Sequence, residues 1–77
     1  MYGMYQQRRV LRLGSSGQDV AFGQRVLAGA GYNVGPIDGV YGPRTMQAVM
    51  QFQADNGLVP DGILGPLTWA AIDAIYP

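Results

Sequence analysis

The sequence contains no cysteine and no histidine, and its acids and bases include neither glutamate nor lysine. Each absence removes a class of chemistry. Without cysteine there are no disulfide staples, no thiolate zinc sites and no thiol nucleophiles. Without histidine, a Ser-His-Asp triad and an imidazole-bound zinc are excluded within this chain, and without lysine so is a Schiff base. No apolar run is long enough to span a bilayer. Gln6, Gln7, Arg8 and Arg9 fall where a signal peptide would need its apolar stretch. What remains is a 77-residue chain, 48% apolar and only 13% charged, sized for one small core held by packing alone.

The charge that is present is unevenly spread. Every base is an arginine (8, 9, 12, 25 and 44) and every acid an aspartate (19, 38, 55, 61 and 73). Three arginines fall in the first twelve residues, so the remainder is net negative and poorly suited to neutralising phosphates; nucleic acid is not an expected partner. Residues 1–10 read as a flexible, solvated leader and residues 11–77 as the domain. Glycine and proline are frequent (12 and 5), which predicts short elements joined by turns. The first helix is expected to start at Ser16, with Asp19 as the capping-box acid, and to stop at Gly31. Gly23 and Gly29 inside it each cost about 1 kcal/mol relative to alanine, so it must lean on its neighbours. Pro43 opens a second helix running to about Asn56, and Pro66 a third ending near Ile75.

A repeat at an offset of 23 residues is the most informative feature. Asp38-Gly39-Val40-Tyr41-Gly42-Pro43-Arg44-Thr45-Met46-Gln47-Ala48-Val49 realigns onto Asp61-Gly62-Ile63-Leu64-Gly65-Pro66-Leu67-Thr68-Trp69-Ala70-Ala71-Ile72. Six of the twelve positions are identical, and two more exchange valine for isoleucine. Asp-Gly suits a tight turn whose carboxylate bonds backbone N–H groups further on. Val40 and Ile63 are expected to point inward, and the proline fixes the first helical φ. Ala48 with Val49, and Ala71 with Ile72, share the face of the preceding threonine. Each copy has one aspartate and no glutamate, too few oxygens for a calcium loop. Asp38 and Asp61 are the only candidate acid–base pair, and their shared position in the repeat argues for turn-making over catalysis.

With Leu11-Arg12-Leu13-Gly14, Gly31-Tyr32, Phe52-Gln53 and Asn56-Gly57-Leu58, these blocks resemble the peptidoglycan-binding-like domain family, three-helix modules of bacterial and phage cell-wall hydrolases. The resemblance covers Leu11 to about Ile75 and implies an all-α, compact three-helix bundle. It departs from the family pattern at Gly23 and Ala30, where larger aliphatics are usual, so Phe22 is expected to swing in. Met46 and Met50 replace usual charges and are expected to form an exposed apolar strip. Trp69 and Phe52 are assigned to the core.

The resemblance implies a non-catalytic module that recognises peptidoglycan through its glycan strand or stem peptide, with a cell-wall hydrolase as possible companion. It implies no cofactor or metal, no membrane partner, and a monomer with weak self-association at most. Its place of action would be the cell wall or periplasm, reached within a larger protein or by a phage or lysis route. The alternative is a protein-interaction or assembly module on the same fold, which the methionine pair and Tyr2 and Tyr5 favour. Comparison of the two copies places the binding surface on the first. Arg44, Gln47 and Gln51 at i, i+3 and i+7 form one stripe, whereas Leu67, Ala70 and Ala74 suggest a second copy committed to packing. Tyr41 is expected to present a ring beside the stripe, with Tyr32 and Asp38 completing the ligand-binding set.

Overall fold

A computed structural model describes residues 8–75. Helix α1 spans Gln18–Gly29, α2 Pro43–Asp55 and α3 Pro66–Ile75. Among the described residues the only extended pairing is two single antiparallel bridges, Leu11 with Leu64 and Ser16 with Val40. The segment before α1 therefore laces together the turns that precede α2 and α3. Leu11 and Leu64 exchange backbone hydrogen bonds of 3.1 and 2.8 Å, and the Gly17 N–H reaches the Gly39 carbonyl at 2.9 Å.

Both prolines open their helices as the sequence predicts, at the first helical position, where a missing N–H costs nothing. The start of α1 differs. Gly17, not Ser16, is the capping residue, and no side chain caps the helix. Ser16 is held instead by its bridge to Val40, and Asp19 bonds Arg9 and the Val20 N–H. At its other end α1 closes with the Gly31 N–H on the Ala28 carbonyl and the Tyr32 N–H on that of Leu27, the paired bonds of a Schellman motif.

The core gathers one face of each helix around the lacing segment. Val20 and Leu27 of α1, Val49 and Phe52 of α2, and Ile72 of α3 close on Leu11, Tyr41 and Leu64. The inward register of the two turns is one residue later than expected. Tyr41 and Leu64 are buried, while Val40 is half exposed. In the second turn Leu64 pairs with Leu11 and faces the core, and alternation sets Ile63 on the other side; in the first turn the bridge to Ser16 falls on Val40, and alternation sends the neighbouring Tyr41 inward.

Phe22 does pack against the core, its ring stacked on Trp69 with centroids 6.3 Å apart. The shortfall at Gly23 is filled by the Leu64 side chain, whose Cδ1 lies 3.4 Å from where a Cβ would stand. Of the expected methionine strip, Met50 is exposed but Met46 is not. Met46 is half-buried, and both lie over Gly62, where a Cβ would come within 2.9 Å of Met46 Cγ and 3.2 Å of Met50 Cγ.

Of the stretch read as a leader, residues 1–7, with Tyr2 and Tyr5, lie outside the described residues. Arg9 pairs with Asp19 at 2.9 Å. Arg8 pairs with Asp73 at 2.7 Å and sets its guanidinium 4.4 Å above the Trp69 ring.

Candidate ligand-binding groove

Two buried glutamines fix the turns that carry the repeat. Gln24 accepts from the Gly39 N–H at 2.9 Å through Oε1 and donates through Nε2 to the Val40 carbonyl and the Thr45 hydroxyl, each at 3.0 Å. Gln53 does the same one turn later. It accepts from the Gly62 N–H at 2.9 Å and donates to the Ile63 carbonyl at 2.9 Å and the Thr68 hydroxyl at 3.0 Å. Asp38 and Asp61 accept from the N–H groups of Val40 and Ile63, both at 2.9 Å, and each also faces its glutamine amide. These bonds hold both carboxyls below the usual carboxylate range, the backbone N–H contributing most. Both acids are therefore engaged in making turns.

The clamped turn delivers α2 with a stripe of polar side chains facing outward. Arg44, Gln47, Gln51 and Asp55 recur at intervals of three and four, so they lie along one side of the helix. Across from them the loop that follows α1 contributes Tyr32 and Asn33. Together they line a shallow groove of about 660 Å³. Tyr32 is fixed at two points: its ring meets Phe52 edge-on with centroids 5.7 Å apart, and its hydroxyl donates to Asp55 at 2.5 Å. That bond, with partial burial, raises the Tyr32 phenol above its ordinary value. Gly35 packs against the stem of Arg44, where a Cβ would stand 3.1 Å from Cδ. Among the described residues the Arg44 guanidinium is paired with no carboxylate.

Four of the six residues expected to bind ligand, Tyr32, Arg44, Gln47 and Gln51, thus share one concavity. The other two do not join it. Tyr41 is 1% exposed, and its hydroxyl donates to the Gly62 carbonyl at 2.7 Å, tying the first turn to the second. Burial, with Asp61 nearby, raises its phenol well above the ordinary value. No ring is available there for a sugar face. Asp38 is exposed but bound into its own turn, and it lines a neighbouring recess with Val34 and Pro36 that meets the groove at Pro43 and Arg44. The contrast between copies also fails in its second half: Leu67 is 73% exposed, and Ala70 and Ala74 face outward too. A further cleft of about 550 Å³, between Phe22, Val26 and Ile75, is mostly apolar and contains none of the expected residues. Convergent polar groups distinguish the α2 groove from it.

Residues 16–72 match the family model described as "Putative peptidoglycan binding domain". This chain belongs to the peptidoglycan binding domain family. Its likeness to solved structures of that family is close. It superposes on the endolysin of Burkholderia AP3 phage with a TM-score of 0.82 at 51% identity, over 87% of this chain and 25% of that one. On the SleB N-terminal domain the TM-score is 0.82 at 37% identity, over 87% of this chain and 93% of that one. In sequence it is 43% identical over 74 residues to a zinc D-Ala-D-Ala carboxypeptidase of Streptomyces albus G, covering 91% of this chain and 28% of that protein. The chain thus corresponds in length to a minor part of the endolysin and the carboxypeptidase. The peptidoglycan binding domain is a non-catalytic module of cell-wall hydrolases, and its relatives are enzymes through other domains.

Sequence reasoning did not find Asp55 or the two clamping glutamines. Asp55 was legible in principle, since it extends the stripe by the next interval of four.

Proposed function

We propose that this chain binds peptidoglycan without cutting it, and does so through the groove along α2. Family membership supports the ligand. The single observation that carries the site is the convergence of Tyr32, Arg44, Gln47 and Gln51 on one concavity. Amide and phenol groups there match the hydroxyls and amides of a wall polymer, and an arginine fork matches its carboxylates. The non-catalytic reading rests on Asp38 and Asp61, which hold turns and lie outside this groove. The cell-wall hydrolases among its relatives support action at the wall, with a hydrolase as companion.

Co-sedimentation with purified sacculi tests this reading. The parent protein pellets with the wall and releases no soluble muropeptides, and Arg44→Ala and Gln51→Ala weaken pelleting while melting like the parent. If both variants pellet like the parent, the site lies elsewhere. If the parent stays in the supernatant, the interaction-module alternative takes its place.

A further inference from the structure

The groove is electrically two-ended. Arg44 sits in the first turn of α2 and Asp55 is its last residue, so they are eleven positions apart, roughly 16 Å along the axis. Eleven steps of about 100° return almost to the same side, which puts both charges on the stripe that lines the groove. The helix dipole has the same sense, positive beside Arg44 and negative beside Asp55. Neither charge has an ion-pair partner among the described residues. The hydrogen bond to Asp55 there comes from the Tyr32 hydroxyl, a neutral donor that brings no opposing charge. Between the two ends lie Gln47 and Gln51, uncharged amides able both to donate and to accept.

A sugar chain of hydroxyls and N-acetyl groups has no use for separated opposite charges. A short extended peptide does: at roughly 3.4 Å per residue, 16 Å takes about five residues. We propose that the groove is a stem-peptide site, with a peptide carboxylate on Arg44 and the free side-chain ammonium of a diamino acid on Asp55, and so favours stems that are not cross-linked. Cross-linking turns that amine into an amide and removes the charge Asp55 would meet. Tyr32 is the positioning residue, holding the carboxylate toward the groove.

This inference rests on the groove being the wall-binding site, and the experiment separates the two. Purified sacculi are compared before and after acetylation of their free amines, with the parent, Asp55→Asn, Tyr32→Phe and Gln51→Ala. Asp55→Asn keeps an acceptor for the Tyr32 hydroxyl and tests the charge alone. Acetylation is expected to weaken parent binding about tenfold or more, the scale of a lost charged hydrogen bond. Asp55→Asn should weaken binding to native sacculi by a similar factor and be insensitive to acetylation, and Tyr32→Phe should show a smaller loss. Gln51→Ala should weaken binding to both wall preparations. If Gln51→Ala weakens binding but acetylation changes nothing for the parent, the groove reading stands and the amine-reading inference is overturned. If the parent fails to pellet with native sacculi, the groove reading itself has failed.

Discussion

Gln24 and Gln53 are each 1% exposed, and each bonds a backbone N–H, a backbone carbonyl and a threonine hydroxyl at once. Replacing one by an apolar residue removes all three bonds together, although the Thr45 hydroxyl keeps its bond to the Val34 carbonyl. Gln53→Leu is therefore expected to destabilise the fold by about 3 kcal/mol or more, read from the denaturant midpoint. A loss under about 1 kcal/mol would mean that water replaces the amide. Asp38→Ala and Asp61→Ala should both lower the melting temperature and leave sacculus binding per folded molecule unchanged, since each removes a turn acceptor outside the groove. The aspartates were legible because they repeat at 23 residues. The glutamines were not: they lie 29 residues apart, outside the repeated block, and look like solvated helix positions until the turns fold back onto them.

At the level of elements, α2 divides its circumference three ways: Val49 and Phe52 to the core, Arg44 to Asp55 to the groove, and Met46 and Met50 over the second turn. That cover makes Gly62 intolerant of a side chain, with φ at 74° and the methionines already in contact. Gly62→Ala should cost about 1–3 kcal/mol in chemical unfolding, against a few tenths if the methionines simply move aside. Gly29 is the converse case. It is helical, and nothing lies within 4 Å of where a Cβ would be, so Gly29→Ala should gain about 0.5–1 kcal/mol by stiffening the unfolded chain. Helix positions were readable because proline and glycine act locally. The cap of α1 was not, because Arg9 and the bridge to Val40 redirect Asp19 and Ser16 through tertiary contacts. The inward register of the turns failed for the same reason, since it follows bridges to the lacing segment, Ser16 with Val40 and Leu11 with Leu64, the second more than fifty residues apart. Of the site, the stripe on α2 followed from comparing the two copies and from helical periodicity. The burial of Tyr41 depended on where a second turn would place its carbonyl.

For the whole molecule, the absence of histidine and cysteine leaves no side chain that ordinarily titrates between about pH 5 and 9. The folded carboxyls of Asp19, Asp38 and Asp61 are lowered, chiefly by Arg9 for the first and by turn N–H groups for the others. Their stabilisation is present above the unfolded value near 3.9 and is lost as pH falls through the lowered folded values. Tyr41 and Tyr32 are raised, so their contribution is present below about pH 10 and is lost as pH climbs beyond it. The melting temperature should be flat from about pH 5 to 9 and decline on both sides, with a shallower alkaline decline in Tyr41→Phe. A midpoint that drifted through neutrality would contradict this. The pairing of Arg8 with Asp73 has a different kind of consequence, for architecture. Two residues 65 positions apart in sequence meet side by side, so the chain enters and leaves the fold at one place. A unit of that shape can be spliced into a surface turn of another protein, or hung from either end of one, without prying its host apart. Its groove would face the same way whichever end was tethered.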